Sequence, residues 1–245
     1  LTVDAFLDSI IASKNMEQVI QQIDKNTHDL KYIEAYNIMQ RYRSQFTGSE
    51  WAFRVARAMF LWEKAQPREL SKSELRTLYN DALEVCEDAL RKEPNNPQLL
   101  TWKGLCIDSL AKISGTNERI QKAYEMRELW DRSLSSDGNE KVTLTSLAVW
   151  CFTVADLPDI KRQFAKTFFT KPPKSTYEEA MTYINKALDG NPYPSIVLFM
   201  TAAKCHRKLG NLGKMREFCE RVLQHPDVGH EVAETKREAS HLLKH

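Results

Sequence analysis

The sequence predicts an all-α protein, a solenoid of helical hairpins whose repeats carry lengthened insertions. Three observations predict this fold class. Glycine is rare, with eight in 245 residues, and valine and isoleucine do not cluster into the alternating runs of half-buried strands. Apolar residues recur instead at helical spacing along most of the chain. Finally, one helical segment occurs twice, 98 positions apart.

The repeated segment has the pattern of the second helix of a tetratricopeptide repeat. The copies YNDALEVCEDALRKEPNNP and YEEAMTYINKALDGNPYP share a tyrosine, two alanines, a leucine and a proline at equal spacing. The alanines stand about two helical turns apart on one face, where small side chains let another helix approach closely. The proline lies beyond the helix end. The matched positions are Tyr79, Ala82, Ala89, Leu90 and Pro94, then Tyr177, Ala180, Ala187, Leu188 and Pro192.

The other elements follow from the same pattern. SEWAFRVARAMFLWEKA is the first helix that pairs with a second helix over 79–92. PQLLTWKGLCIDSLAK is the next first helix, in which Gly104 allows close contact between paired helices. A weaker middle copy runs from RIQKAYEMRELWDRSLSSDGNE into VTLTSLAVWCFTVA, with Ser133 and Gly138 in place of the alanine and proline.

The chain divides into three expected parts. Residues 1–46 contain N-terminal helices, over about 3–13, 16–26 and 29–43, that pack on the solenoid. Residues 47–228 are the tetratricopeptide-like repeats. Residues 229–245 form a C-terminal capping helix, because the end of a solenoid needs a polar outer face. Insertions at 66–73, 113–117 and 157–176 lengthen the repeats beyond the usual frame of about 34 residues.

Known catalytic and metal-binding motifs do not occur. The histidines form no H-E-x-x-H pair, no G-x-S-x-G is present, and GNLGKM lacks the spacing of a phosphate-binding loop. Enzymes are therefore the weakest class of function, and the sequence predicts no catalytic residue, metal ligand or cofactor. An odd number of cysteines without a C-x-x-C pair favours buried, reduced thiols in a cytosolic protein.

Charge and hydropathy argue against a nucleic-acid partner and against a membrane-spanning segment. The net charge of +2 and the lack of a basic stripe argue against nucleic acid. No run of about 18 apolar residues predicts a transmembrane segment. The sequence begins at Leu1 rather than methionine, which leaves room for an upstream anchor or targeting segment.

The third insertion is the best candidate for a functional surface. DIKRQFAKTFFT predicts a short basic amphipathic helix that starts after Pro158. Residues 160–176 contain five cations and no acidic residue, so they can attract an acidic protein, a phosphate or an anionic lipid head group. A structural interpretation stands beside this one: the phenylalanines fill the core and the lysines keep the insertion soluble. The five cations are Lys161, Arg162, Lys166, Lys171 and Lys174.

Two other binding modes are compatible with the sequence. A lipid or peptide pocket closed by the insertion would be lined by Trp150, Phe164, Phe168 and Phe169. Alternatively, polar residues of the first helices would point into one concave groove that binds a partner's peptide. The groove candidates are Arg54, Arg57 and Lys103.

The combination of these motifs resembles the regulator of microtubule dynamics family. The resemblance covers residues 50–226 and is carried by SEWAFRVARAMF, WCFTVADLP and KRQFAKTFFTKPPKSTYEEAMTYINKAL. It implies a non-enzymatic cytoplasmic protein that associates with microtubules, including those of the spindle, and acts on their growth or attachment during chromosome segregation. It also implies an alternative, since some members are tethered to mitochondria and act at organelle contacts with lipid held by the repeat domain. The family lends no catalytic residues to this chain.

The expected partner is therefore tubulin or another acidic protein surface. Lysines on a rigid solenoid would bind the acidic tubulin tails in a salt-sensitive way. The alternative is a lipid- or peptide-binding repeat module.

Overall fold

A computed structural model describes residues 3–169 and 171–244, with side chains from residue 14 onward. Within these ranges the chain forms thirteen α-helices and no strand, which confirms the predicted fold class. Leu1, Thr2, Thr170 and His245, at the ends of predicted elements, lie outside the described residues. The helices are α1 (Val3–His28), α2 (Tyr32–Tyr42), α3 (Ser49–Lys64), α4 (Lys72–Leu90), α5 (Pro97–Ser114), α6 (Thr116–Gln121), α7 (Ala123–Ser136), α8 (Lys141–Ala155), α9 (Asp159–Phe168), α10 (Tyr177–Leu188), α11 (Ile196–Lys208), α12 (Leu212–Gln224) and α13 (His230–Lys244).

Four helical hairpins make the solenoid. They pair α3 with α4, α5 with α7, α8 with α10, and α11 with α12. The helices α1 and α2 pack before the first hairpin, and α13 packs on the last. Two short helices, α6 and α9, lie between the members of the second and third hairpins and contact each other. The interruption by α9 lies inside the predicted insertion 157–176, whereas α6 overlaps the predicted insertion 113–117 only at its start, and 66–73 is the turn that leads into α4.

The N-terminal region differs from the sequence prediction. Helices over 3–13 and 16–26 were expected, but α1 continues unbroken from Val3 to His28. No glycine or proline interrupts this segment, so nothing in the backbone ends the helix between them. The next helix begins at Tyr32, after Leu30 adopts a positive φ of 59°.

Gly104 brings α5 close to α7. A Cβ at this position would lie 2.4 Å from Nε1 of Trp130 and 2.8 Å from its Cε2. Carbon atoms do not approach that closely, so only glycine fits here without moving the indole. Ala82, Ala180 and Ala187 of the repeated segment are buried, as the repeat pattern requires.

A cluster of hydroxyls replaces the alanine of the middle repeat. The Ser133 hydroxyl lies 2.9 Å from that of Thr101 and 3.1 Å from that of Thr143, and it donates to the Pro97 carbonyl over 3.0 Å. All three side chains are fully buried. Burying hydroxyls costs free energy unless they are hydrogen-bonded, and each of these has a partner. The departure from the repeat pattern at Ser133 is therefore compensated by its neighbours.

The C-terminal end of the solenoid returns to its beginning. The backbone N–H of His230 donates to the Gln66 carbonyl over 3.0 Å, and Gly229 packs directly on the Lys64 carbonyl. Tyr32 donates its hydroxyl to Asp227 over 3.1 Å. We call this contact between residues 227–231 and the α2–α3 region the closure. Because of it, the inner faces of the helices surround a central space.

Candidate functional site: a central chamber and a basic insertion

The helices surround a chamber of about 530 Å³ that is lined from α2, α3, α5, α6, α7, α8, α11 and α13. This volume falls in the range of about 300–1,000 Å³ typical of small-molecule sites. Aromatic and aliphatic side chains dominate the lining, as in sites that bind apolar ligands. They include Phe60, Trp102, Leu105, Met126, Trp130, Val149, Trp150, Val154, Ile196 and Val232.

One charged group of the lining lies between α5 and α6. Asp108 is buried, and its carboxylate lies 3.2 Å from both the Lys112 ammonium and a terminal guanidinium nitrogen of Arg119. Burial alone would raise the pKa of the Asp108 carboxyl, but the two cations hold it below its ordinary value. Asp108 is thus ionised and paired, and its cations are partly exposed at the chamber wall.

A second charged group lies at the closure. The Lys64 ammonium is 2.8 Å from Glu63 and 2.7 Å from Glu231, so it joins α3 to α13. Glu63 is buried and also accepts the Tyr79 hydroxyl over 2.9 Å. Burial would lower the pKa of Lys64, but the facing Tyr79, Glu231 and Glu63 raise it above its ordinary value. Lys64 is therefore a cation that holds two acidic groups together.

The same place has the composition of a metal site. Within the described residues, Glu63, His230 and Glu231 hold ligand-type atoms within 4.8 Å of one another. The Lys64 ammonium already contacts both carboxylates and places a positive charge between them. A divalent ion would have to displace this internal cation, so the arrangement favours an ion-paired contact over metal binding.

Of the predicted pocket residues Trp150, Phe164, Phe168 and Phe169, only Trp150 lines the chamber. Its indole N–H donates to the Ala123 carbonyl over 2.9 Å. The phenylalanines belong to the insertion but do not line the chamber: α9 packs against α6, and Phe169 packs on Tyr124 of α7. Phe169 contacts Tyr124 with ring centroids 4.9 Å apart, and Phe164 contacts Phe168 at the same distance.

The predicted groove residues do not line the chamber either. Arg54 and Arg57 both contact Asp24 of α1, and Arg54 also pairs with Glu50. Lys103 pairs with Glu87 of α4 over 3.0 Å. These three cations bridge neighbouring helices of the solenoid. Their sequence positions could not show this, because the acidic partners come from other helices.

The five cations of the insertion have different surroundings. Arg162 donates to the backbone carbonyls of Ala155 and Leu157 over 2.6 and 2.8 Å, so it closes the C-terminal end of α8. Lys161 approaches Asn117 at 3.5 Å. The other three are exposed and have no ion-pair partner among the described residues: Lys166, Lys171 and Lys174.

Sequence reasoning missed the residues of the closure. Tyr32, Lys64, Asp227 and Glu231 all line the chamber, but they come from opposite ends of the chain. No local spacing pairs them. The sequence signal that could have indicated the closure is Gly229, a glycine directly before the capping helix. In the structure this residue has a positive φ of 123°.

The chain matches the family described as regulator of microtubule dynamics protein 1-3 over residues 16–245. It belongs to this family. Among the curated members, regulator of microtubule dynamics protein 1 of Mus musculus is 27% identical over 234 residues, which cover 95% of this chain and 75% of that protein. The protein of the same name in Bos taurus is 28% identical and covers 94% of this chain and 71% of that protein.

One further relative is less similar. Regulator of microtubule dynamics protein 2 of Bos taurus is 23% identical over 93% of this chain and 55% of its own length. Among solved structures, a thermophilic TPR protein of Thermus thermophilus superposes with a TM-score of 0.62 at 9% identity, covering 94% of this chain and 99% of that one. This likeness confirms the helical-hairpin repeat fold. No helix within the described ranges is long and apolar enough to cross a membrane.

Proposed function

We propose that this member of the regulator of microtubule dynamics family is a non-enzymatic, microtubule-associated scaffold that regulates microtubule dynamics or spindle attachment. The names of its relatives support a role connected with microtubules. The observation that carries the mechanism is the group of exposed lysines without acidic partners on the insertion: Lys166, Lys171 and Lys174.

Lysines without an acidic partner in their own protein can bind an acidic surface of another protein. Most other basic residues of the solenoid pair with acidic side chains of the same protein, such as Lys204 with Glu238 and Lys208 with Asp156. The insertion lysines keep their charge free for a partner. Binding of acidic tubulin tails would then be long-range, fast and sensitive to salt.

Co-sedimentation with stabilised microtubules tests this proposal. We expect replacement of Lys166, Lys171 and Lys174 by glutamate to abolish pelleting at low salt while the helical circular dichroism stays unchanged. A matched variant reverses three exposed lysines elsewhere, Lys72, Lys92 and Lys186, and should pellet like the wild type. Equal loss in both variants, or loss in neither, would rule out the insertion as the microtubule-binding surface.

The chamber favours a second function, a lipid- or peptide-binding module that acts at organelle contacts. A volume of about 530 Å³ with an apolar lining is suited to a flexible apolar chain. The paired charges at Asp108 and at Lys64 leave polar atoms at its wall for a head group or a peptide backbone.

Organic extraction of the purified protein, followed by mass spectrometry, tests this second function. We expect apolar material to be recovered from the wild type. Val149→Trp places an indole inside the chamber and should remove that material, whereas Leu212→Trp, at an exposed position outside it, should not. Recovery of a peptide would identify the other ligand class, and an empty extract from the wild type would contradict the function.

A further inference from the structure

The helix α9 presents an apolar stripe that nothing in the described structure covers. Ile160, Phe164 and Phe168 stand four residues apart and therefore lie along one side of the helix. Ile160 is 75% exposed and Phe168 is 46% exposed, whereas Phe164 is half-buried against Phe168. The stripe is about 12 Å long, at 1.5 Å per residue. Large exposed apolar side chains grouped in this way are typical of interaction sites.

The rest of α9 is fixed to the solenoid. Ala165 is buried, and the helix packs against α6. Phe169, at its C-terminal end, contacts Tyr124, whose hydroxyl donates to the Lys171 carbonyl. Arg162 ties the beginning of the helix to the end of α8. One face of α9 therefore packs on the solenoid. The stripe of Ile160, Phe164 and Phe168 is a separate surface of the same helix.

Positive charge lies near the stripe but not evenly around it: Lys161 is on the adjoining side of α9, whereas Lys166 is on the far side of the helix. Lys166 and Lys171 are exposed and unpaired among the described residues, and Lys161 has only a weak contact with Asn117. The one acidic residue of α9 is Asp159, in its first turn. An amphipathic helix that combines bulky apolar side chains with lysines is the type that lies in the interface of an anionic bilayer.

The insertion also borders the chamber. Leu157, two residues before α9, and Pro173, five residues after it, both line the chamber. Thr116 and Arg119 of α6, the helix on which α9 packs, line it as well. A surface bound by α9 therefore lies beside the wall of the chamber.

We propose that α9 docks this protein on anionic lipid bilayers, with Ile160, Phe164 and Phe168 entering the boundary between head groups and acyl chains. Lys161, beside the stripe, then contacts the lipid phosphates and carboxylates, and the more distant Lys166 and Lys171 add long-range attraction to the anionic surface. This inference rests on the second function proposed above, since docking would bring the chamber wall to a source of apolar ligand. In this proposal the apolar side chains of the stripe bind lipid. The lysines can bind either the lipid head groups or the acidic protein surface proposed above.

Flotation with vesicles of phosphatidylcholine, with and without phosphatidylserine, tests the docking. The wild type should float with the anionic vesicles and not with the neutral ones. The double variant Ile160→Ser and Phe168→Ser should bind at least about tenfold more weakly, because two apolar side chains no longer leave water. The matched double variant Ile33→Ser and Leu212→Ser changes exposed apolar residues of other helices and should float like the wild type.

Three measurements separate this proposal from the functions on which it builds. The Ile160 and Phe168 double variant should take up less apolar material from anionic vesicles than the wild type, and flotation should be unchanged in Val149→Trp. Loss of microtubule pelleting in the double variant, with vesicle binding intact, would make the stripe a protein-docking surface and overturn the proposal. The proposal would also be overturned if the wild type did not float with anionic vesicles. Equal flotation of the two double variants would overturn it as well.

Discussion

Replacing Gly229 with alanine perturbs the closure at a single atom. A Cβ at this position would lie 2.1 Å from the Lys64 carbonyl oxygen and 3.1 Å from its carbon, and Gly229 has a φ of 123°. The obstructing atoms are backbone atoms at the end of α3, so they cannot move aside as a side chain would. Residues 229–231 must therefore shift away from α3.

The loss of stability has two parts: backbone strain at residue 229 and the loss of contacts at the closure. A non-glycine residue at positive φ costs about 1–2 kcal/mol. The shift also breaks the hydrogen bond from His230 to Gln66 and weakens the partly exposed Lys64–Glu231 pair, which together contribute about 1–2 kcal/mol. We expect Gly229→Ala to lower the free energy of unfolding by about 2–4 kcal/mol.

Two other glycines provide controls for a urea-denaturation assay. Gly190 also has a positive φ, of 60°, but a Cβ there meets nothing within 4 Å, so Gly190→Ala reports the strain alone. Gly213 lies in α12 with neither constraint, so its replacement should be neutral or stabilising by up to about 1 kcal/mol. If Gly229→Ala costs no more than Gly190→Ala, the closure does not stabilise the protein.

Three further predictions concern the core and its charges. Gly104→Ala forces a Cβ against the Trp130 indole and should cost at least about 1–3 kcal/mol in the same assay. Asp108→Asn should lower stability at neutral pH. The same variant should lose less stability in acid. The reason is that a carboxyl with a depressed folded-state pKa stabilises the protein above its unfolded-state pKa, and this contribution is lost as pH falls through the folded-state pKa. An acid transition identical to that of the wild type would contradict this. Burial raises the pKa of the thiols, so the native protein should react with iodoacetamide far more slowly than the urea-unfolded protein at five positions: Cys86, Cys106, Cys151, Cys205 and Cys219.

Much of the fold could be predicted because it depends on local spacing. Ala82, Ala180, Ala187 and Gly104 occupy the close contacts that the repeat pattern requires, whereas Ala89 is only half-buried. Helix caps depend on equally short spacing: Ser71 forms a capping box with Glu74 at the start of α4. Such signals involve residues three to seven positions apart, which a single sequence displays.

The site was harder to predict because it depends on contacts between distant parts of the chain. Trp150 lines the chamber, and its place near the insertion is visible in the sequence. The closure pairs Lys64 with Glu231, 167 positions away, and no periodic pattern announces such a pair. The phenylalanines of the insertion were expected in the pocket because composition does not show which face of a short helix packs; in the structure, Ala165 and Phe169 face the solenoid.

Co-sedimentation across a salt series, with intact and tail-cleaved tubulin, tests the proposed microtubule association most directly. We predict that the wild type pellets at low salt, that pelleting declines steadily as salt rises, and that removal of the acidic tails reduces it. Absence of pelleting at low salt, or pelleting that depends on neither salt nor the tails, would contradict binding through the unpaired lysines of the insertion.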